Sequence, residues 1–347
     1  MSMKQTALVQ VRTPTYKRGD ALRRCLQSLQ AQTWQNWVCD VYDDDPEGSA
    51  KVICDELGDP SIFYNHNRPQ KFASKNIDAC FSRQNPRNVD YFCVVEDDNF
   101  ILPTFMEENI SVCEREGVDL VLCNQLMEFA SGTPEARLSD FGLLDRCFEE
   151  GRYDPDLFRL SLIPGIGVSN GGLFWSKSVK SELEIGYACN ATLQEYLRTF
   201  SVAEDIYVNM KPLGVWAQNG EQTTRDLGDR ASVLRRELNL KRGIQILQRE
   251  TWRLAGESRR RTFLDTDRLR YDRRARARGL VKALIPARVG KLLTLREKLE
   301  LAARGLLIRT VGNPENTLAA FIASRTRRQK GGEAETAVMA RPSRAQA

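Results

Sequence analysis

The sequence predicts an α/β protein in which a mostly parallel central sheet carries helices on both faces. Strand-like and helix-like stretches alternate from Thr6 to about Trp216, and several of the strands are continuous apolar runs. This alternation is typical of parallel sheets, because each strand reaches its neighbour through a crossover helix. Polar clusters follow the strands directly, which is where such sheets bind ligands.

The elements of the alternating region can be assigned in order. Strands are predicted over residues 7–11, 37–42, 62–65, 91–95 and 120–123, and helices over residues 20–29, 50–57 and 75–81. Asp20 is placed to cap the first helix, because a carboxylate can accept hydrogen bonds from the amides of the first turn. The apolar residues of this helix share one face, namely Leu22, Cys25, Leu26 and Leu29.

The charge of the chain changes sign near Gly220. Residues 1–220 contain 21 Lys and Arg against 32 Asp and Glu, a net charge of −11, whereas residues 221–347 carry +16. We therefore predict an acidic domain over 1–220, a basic helical region over 221–325 and a disordered tail over 326–347. One amphipathic helix is predicted in the basic region from apolar residues that recur every seven positions, namely Ile285, Leu292, Leu299 and Leu306.

Composition excludes several classes of protein. His66 is the only histidine, which leaves almost no material for a His-based zinc site or a Ser-His-Asp triad. The nine cysteines are scattered singly, as expected of small core residues in a reducing compartment. No apolar run reaches the roughly 18 residues that span a bilayer, and we expect no signal peptide before the first strand. We expect a cytoplasmic protein, either dissolved or held at the inner face of the membrane.

The most informative stretch is the apolar run Tyr91–Val95, followed directly by Glu96, Asp97 and Asp98. Adjacent carboxylates repel one another unless a cation or a sugar hydroxyl lies between them. At the end of a parallel strand this cluster predicts a site for Mg²⁺ or Mn²⁺. The alternative is an acidic turn exposed to solvent.

Three further clusters follow the first three strands. In the loop of residues 12–18, Pro14 stiffens the turn and Tyr16 can stack on a ligand. Asp44 follows the second strand, where a carboxylate can accept hydrogen bonds from a base or a ribose. Arg68 and Lys75 follow the third strand and can balance a pyrophosphate. A solvated charged helix explains these two cations equally well, because no glycine-rich phosphate loop is present.

Taken in order, these clusters resemble the family 2 inverting glycosyltransferases of the GT-A fold, over residues 5–215. The matching segments are residues 13–18, 25–33, 41–44, 67–76 and 96–103. The resemblance implies that Asp44 contacts the base, Asp97 the ribose and Asp98 the metal. Glu96 stands where many members have aspartate and would support the metal. The nucleotide pocket would also be lined by Thr13, Pro14 and Tyr16.

Two later segments fit the acceptor side of the same family. Gly171 and Gly172 would let the backbone approach the donor sugar and the acceptor, and Trp175 would stack on a sugar face. The alternative is a tight turn that leads into a core strand. Glu204 and Asp205 match the family's Glu-Asp element, so the resemblance implies that Asp205 is the catalytic base. The alternative is a helix N-terminus, where acids are favoured.

The resemblance implies a metal-assisted, inverting transfer of a sugar from a nucleoside diphosphate sugar, with a UDP-sugar favoured. The acceptor would be a hydroxyl of a glycan or of a lipid-linked glycan, in the synthesis of a surface polysaccharide. The Gln-x-x-Arg-Trp signature of processive synthases is absent from the sequence. We therefore expect one sugar, or a few, to be added per encounter.

The basic region has three interpretations. Its arginines suit an anionic membrane surface, and its helices equally suit packing against the acidic domain or a homo-oligomer interface. Nucleic acid is disfavoured as a partner, because no reading motif or aromatic platform accompanies the arginines. A sugar nucleotidyltransferase is disfavoured because residues 12–18 contain no glycine. An inactive relative is disfavoured because Asp98 and Asp205 are intact.

Overall fold

The computed structural model describes residues 6–165, 167–186, 189–219, 229–314 and 316–327. The strands are β1 (Val9–Thr15), β2 (Trp37–Asp43), β3 (Ile62–His66), β4 (Tyr91–Val94), β5 (Phe100–Ile101), β6 (Leu120–Ser131), β7 (Arg137–Gly142), β8 (Gly151–Tyr153), β9 (Leu173–Ser176) and β10 (Ile206–Asn219). The helices are α1 (Gly19–Gln30), α2 (Ala50–Leu57), α3 (Ala73–Ala79), α4 (Phe105–Glu116), α5 (Pro155–Leu160), α6 (Ala191–Ser201), α7 (Arg230–Leu254), α8 (Glu257–Thr262), α9 (Arg273–Lys282) and α10 (Leu295–Val311).

The ten strands form one sheet in the order β3-β2-β1-β4-β9-β6-β10-β5, with β7 beside β6 and β8 beside β10. β3, β2, β1 and β4 are mutually parallel, so they all end at the same side of the sheet. We call this side the carboxyl edge and the opposite side the amino edge. β9 runs antiparallel to both β4 and β6, and β10 is parallel to β6. The predicted α/β class is confirmed, but the sheet is mixed, because four of its nine strand pairs are parallel and five are antiparallel.

The local sequence explains most element boundaries of the first half. α1 buries the four residues that its periodicity predicted, namely Leu22, Cys25, Leu26 and Leu29. α2 and α4 each end at a glycine in the left-handed region, Gly58 with φ of 60° and Gly117 with φ of 59°. Glycine has no Cβ to clash in this conformation, so it ends a helix at little cost.

The C-terminal helices pack into the same core as the sheet. Phe263, Leu269 and Leu280 belong to one buried apolar cluster together with Phe158 and Trp175. The backbone of residue 148 also forms a bridge to residue 269. Much of the basic region is therefore packed against the acidic domain, as one of its three interpretations predicted. The domain boundary near residue 220 remains a prediction, because residues 220–228 lie outside the described part of the chain.

The predicted single amphipathic helix of the basic region is wrong. Ile285 lies in a loop after α9, and Leu292 lies in a short 3₁₀ turn (Gly290–Leu292). Pro286 interrupts the helix because it lacks an amide donor. On α10, Leu299 and Leu306 are exposed, whereas the buried residues of this helix are Leu301, Gly305 and Ile308.

Residues 317–327 are helical, so helix extends into the first two residues of the tail predicted from residue 326. The remainder of that tail, residues 328–347, lies outside the described residues.

Eight of the nine cysteines are buried, in agreement with a role in the core. Within the described ranges, no helix is both long and apolar enough to span a membrane.

Candidate active site

Asp97 lies in the turn between β4 and β5, at the carboxyl edge, and is almost fully buried. Its carboxylate accepts hydrogen bonds from Thr15 Oγ1 at 2.8 Å, from the Tyr16 amide at 3.3 Å and from Arg18 Nη1 at 3.2 Å. Burial, and then the charge of Asp98, raise the pKa of Asp97 to about 6. The loop after β1 and the turn after β4 are therefore joined through this one carboxylate.

Arg18 also forms an ion pair with Asp98, so one guanidinium bridges two adjacent carboxylates. This contact relieves their mutual repulsion from within the protein. Asp98 itself is only partly buried, so its carboxylate can also reach a ligand at the edge. The role of Arg18 is not visible in the sequence, because its position in the loop after β1 gives no sign that it faces the turn after β4.

Glu96 faces away from Arg18, toward the 3₁₀ turn formed by Asn170–Gly172. It accepts hydrogen bonds from Asn99 Nδ2 at 3.1 Å and from Asn170 Nδ2 at 3.3 Å. Burial, and then the charge of Asp98, raise the pKa of Glu96 to about 7. The carboxylate of Glu96 is therefore held by two side-chain amides. The negative charges of Asp98 and Asp97 act on it as well.

Arg198 on α6 connects this turn to the rest of the fold. The residue is fully buried, and it donates from Nη1 to Asn170 Oδ1 at 2.8 Å and from Nη2 to Asp78 Oδ1 at 2.7 Å. Its Nε donates to the Leu183 carbonyl at 3.1 Å. A continuous chain of polar contacts thus runs from Glu96 through Asn170 and Arg198 to α3.

Glu195 lies almost one turn before Arg198 on α6 and is partly exposed. Burial, and then the negative charge of Glu96, raise the pKa of Glu195 to about 8. No described residue donates a hydrogen bond to its carboxylate. Glu195 is not among the residues predicted from the sequence, because a glutamate three positions before an arginine on a helix resembles an ordinary surface ion pair. The structure brings it near the acidic turn instead.

Asp44 follows β2 at the carboxyl edge and organises the loop after β3. It accepts hydrogen bonds from the amide of Lys71 at 2.7 Å, the amide of Phe72 at 2.6 Å and Asn67 Nδ2 at 3.1 Å. Phe72 has a φ of 66°, a strained conformation for a residue with a Cβ, and its side chain is 66% exposed. Strain of this kind tends to be retained at ligand sites. Tyr16 presents a second exposed ring at this edge.

The other predicted nucleotide-binding residues have different positions. Thr13 is fully buried, and its hydroxyl lies 3.6 Å from Cys39 Sγ, so it faces the core. Pro14 is buried within β1. Arg68 and Lys75 are exposed beyond β3, on the side of the sheet predicted for a diphosphate. The structure therefore brings the two cations and Tyr16 to the surface and leaves Thr13 and Pro14 as support.

The predicted sugar-stacking role of Trp175 is wrong. Trp175 is 2% exposed, and its ring stacks against Phe81 at 5.5 Å and Phe92 at 5.8 Å between centroids. Packing requires a glycine at residue 172, because a Cβ there would lie 2.7 Å from the backbone carbonyl oxygen of residue 123, whereas a Cβ on Gly171 would meet only the flexible end of the side chain of residue 125, at 2.9 Å. The exposed tryptophan near the acidic turn is Trp216, on β10.

Asp205 and Glu204 lie at the amino edge, so the structure contradicts the prediction that they join the acidic turn. The pairing of β10 with β6, β6 with β9 and β9 with β4 puts Asp205 level with Tyr91, the first residue of β4. Glu96 follows five residues later, or about 17 Å along an extended strand. Glu204 accepts hydrogen bonds from the amides of residues 180 and 181, and Asp205 lies 3.6 Å from Arg152.

The carboxylates at the acidic turn suit a divalent cation that is held partly by the protein and partly by a bound ligand. They do not suit a cation that is enclosed by protein groups alone. Among the described residues, no group of three or more His, Cys, Asp or Glu side chains is arranged to hold a metal. Mg²⁺ and Mn²⁺ at phosphate sites need only one or two carboxylates, because phosphate oxygens and waters complete the shell. Asp98 is paired with Arg18 but is less buried than Asp97, so it would meet this requirement together with a ligand, whereas Asp97 is almost fully buried and Glu96 is held by two side-chain amides.

Comparison with known proteins agrees with this geometry. Residues 11–173 match the model of the family described as glycosyl transferase family 2. The fold is similar to the crystal structure of residues 1–349 of S. aureus TarS in complex with UDP-GlcNAc, with a TM-score of 0.56 and 13% identity over 93% of this chain and 92% of that one. The same fragment in complex with UDP gives a TM-score of 0.51 at 13% identity over 93% and 91%.

A longer TarS structure gives a TM-score of 0.53 at 13% identity and is matched by 87% of this chain. The match covers 54% of that chain, so this protein spans about half the length of TarS as seen there. No curated protein matches the sequence. The family match includes β1 from residue 11 onward, the acidic turn and the 3₁₀ turn, but not α6, which carries Glu195 and Arg198. Residues 11–173 thus match glycosyl transferase family 2, in a chain whose fold is of the GT-A type.

Proposed function

We propose that this protein transfers a sugar from a nucleoside diphosphate sugar to a hydroxyl group, with inversion at the anomeric carbon. The observation that carries the proposal is the meeting of Asp44, Asp97 and Asp98 at the carboxyl edge, beside the exposed rings of Tyr16 and Phe72. Carboxylates that accept hydrogen bonds beside rings that stack are suited to a nucleoside. The TarS structures contain UDP-GlcNAc and UDP, which supports a UDP-sugar as the donor.

In this proposal the base lies between Phe72 and Tyr16, and Asp44 holds the loop that presents Phe72. The ribose hydroxyls donate to Asp97. Arg68 and Lys75 are exposed on the same side and balance the diphosphate. Arg18 keeps Asp97 and Asp98 together, so the site is formed before the donor binds. Because little is reorganised on binding, more of the interaction energy is available for affinity.

Asp98 is the proposed ligand of a divalent cation, Mg²⁺ or Mn²⁺. Bound there together with the diphosphate, the cation would neutralise the charge of the leaving group. Arg18 supplies a positive charge to the same carboxylate from the protein side. Glu96 contributes negative charge at this position and holds the turn that contains Asn170.

Glu195 is the carboxylate that we propose as the proton acceptor, in place of Asp205. The acceptor hydroxyl attacks the anomeric carbon, its proton moves to Glu195, and the bond to the diphosphate breaks with its electron pair leaving on the diphosphate oxygen. A carboxylate with a pKa of about 8 is basic enough to accept this proton near neutral pH. Its proximity to Glu96 supports the assignment, and Asp205 lies at the other edge of the sheet.

The acceptor is proposed to be a glycan or a lipid-linked glycan of a surface polysaccharide. Association with an anionic membrane would suit a lipid-linked acceptor. It is supported by the exposed apolar face of α10, where Leu295 is 72% exposed and Leu299 is 62% exposed, next to a basic surface. Sedimentation with anionic and with neutral liposomes tests this part of the proposal. If the wild type is an oligomer in solution and the Leu295→Ser, Leu299→Ser variant is a monomer, the face is a homo-oligomer contact instead.

The transfer reaction is tested with a panel of nucleoside diphosphate sugars, by measuring the nucleoside diphosphate that is released with and without Mn²⁺. We expect release from one class of donor, and a loss of at least 100-fold in Asp98→Asn. Asp205→Asn is the matched control, because it removes the same charge at the opposite edge. Equal activities for the two variants would contradict the proposed site.

A further inference from the structure

A cavity lies in the C-terminal helices, away from the acidic turn. It has a volume of about 600 Å³ and is lined by α7, α8 and the segment that follows α9. A second cavity of about 380 Å³ adjoins it, with Arg249 and Arg253 on the walls of both, and reaches α10. We call the two together the arginine cavity. Its volume is in the range of small-molecule sites.

The charge of the arginine cavity is not balanced by the protein. Seven arginines line it against two glutamates. The two glutamates are engaged by Arg253 and Arg261 in ion pairs. Among the described residues, Arg242, Arg249 and Arg309 have no carboxylate within ion-pair distance. Burial, and then the charges of Arg309 and Arg249, lower the pKa of Arg242, so these guanidinium groups lie close enough to repel one another.

Two arginines of the cavity, Arg249 and Arg260, are held in place by backbone carbonyls. Arg249 Nη1 donates to the carbonyl of Leu284 at 2.9 Å, just beyond the end of α9. Arg260 donates from Nε to the carbonyl of Ala255 and from Nη2 to the carbonyl of Arg253, both at 2.7 Å. Arginines that are already ordered lose less conformational entropy when an anion binds. The cavity therefore resembles a prepared anion site more than a set of mobile surface charges.

Apolar side chains form another part of the larger cavity. Trp252, Leu280 and Ile285 contribute to its lining, and Leu280 and Ile285 belong to the main core. An inorganic anion would leave this surface unused. An amphiphilic ligand would place its charged group against the guanidinium groups and its apolar group against these side chains.

We propose that the arginine cavity binds the phosphate group of an ester whose other part is apolar, such as a lipid phosphate. The guanidinium groups of Arg242, Arg249 and Arg309 match phosphate oxygens in geometry and charge. Trp252 and its apolar neighbours accept the first carbons of the chain. This site is separate from the proposed sugar transfer and does not depend on it.

The test is a titration of the full-length protein with dihexanoyl phosphatidic acid below its micelle concentration, followed by tryptophan fluorescence. Trp252 lines the cavity, so the signal should change on binding and should be lost in Trp252→Phe. The double variant Arg242→Gln, Arg309→Gln should weaken binding at least tenfold. The matched control is Arg296→Gln, Arg304→Gln. It also removes two positive charges, at residues of α10 that do not line the cavity.

Inorganic pyrophosphate and dihexanoyl phosphatidylcholine test separately whether binding needs the apolar chain and whether it needs the net negative charge. We expect both to bind at least tenfold more weakly than the phosphatidic acid, since one lacks the apolar chain and the other is zwitterionic. Equal binding of pyrophosphate would overturn the assignment of an amphiphilic ligand. Equal weakening in the control variant would overturn the location, and absence of binding at millimolar concentration would overturn the site.

Discussion

The choice between Glu195 and Asp205 as proton acceptor gives opposite predictions for two similar substitutions. Loss of a positioned general base costs about 10²–10⁴-fold in rate, or about 3–5 kcal/mol in the activation barrier. We expect this loss in kcat for Glu195→Gln. The level of Asp205 in the sheet is about 17 Å from the start of the acidic turn, which exceeds a Debye length of about 8 Å at physiological salt. Asp205→Asn should therefore change kcat by less than about threefold.

The assay measures nucleoside diphosphate release at saturating donor and acceptor between pH 6 and pH 9. Because the pKa of Glu195 is raised to about 8, the carboxylate is mostly protonated at pH 7, and the rate should rise with pH through pH 8 and approach its plateau toward pH 9. Glu195→Gln should remove this rise as well as the activity, while its affinity for the nucleotide stays within a few fold. A Glu195→Gln enzyme with more than a third of the normal kcat, or a 100-fold loss in Asp205→Asn, would refute the assignment.

Three further predictions concern the donor site, the polar network and the response to pH. Phe72→Ala should weaken nucleotide binding by about 1–3 kcal/mol in calorimetry, the usual contribution of a ring stacked on a base, and an unchanged affinity would exclude a stacking role. Arg198→Ala should lower the free energy of unfolding in urea by about 3–5 kcal/mol, because it leaves the buried carboxylate of Asp78 without its ion pair; a change below 1 kcal/mol would contradict the view of Arg198 as a hub. Glu96, Asp97 and Glu195 have pKa values raised above those of the unfolded chain, so their contribution to stability is complete below about pH 4 and is lost as the pH rises through 6 to 8. Glu195→Gln should therefore be more stable than the wild type at pH 8.5, and a lower melting temperature there would show that its carboxylate is stabilised by its surroundings.

The parallel half of the sheet and its helices could be predicted because their signals are local. The apolar face of α1, the glycines that end α2 and α4, and the acidic residues after β4 all act within a few positions of the chain. The positions of Asp97 and Asp98 at the carboxyl edge follow from strand direction alone. Local pattern and the rule for parallel sheets were sufficient for this part of the site.

The other half of the site depends on long-range pairing, which a single sequence does not reveal. Asp205 precedes a strand, β10, whose parallel pairing with β6 starts at the amino edge. Trp175 belongs to a short apolar strand that is buried on both faces, and the pattern alone does not separate such a ring from one that binds sugar. Glu195 lies near the acidic turn because α6 packs against α3. Phe72 is exposed at the carboxyl edge in a backbone conformation with positive φ, which its sequence does not predict.

The most direct test of the account is calorimetric titration of UDP, and of other nucleoside diphosphates, into the wild-type protein and two variants in the presence of Mn²⁺. The account predicts binding of one nucleotide, with affinity reduced at least tenfold in Asp97→Ala. Asp90→Ala is the control, because Asp90 precedes the same strand at the amino edge and pairs with Lys177. Binding that is equal in the two variants, or absent with every nucleotide, would contradict a donor site at the carboxyl edge.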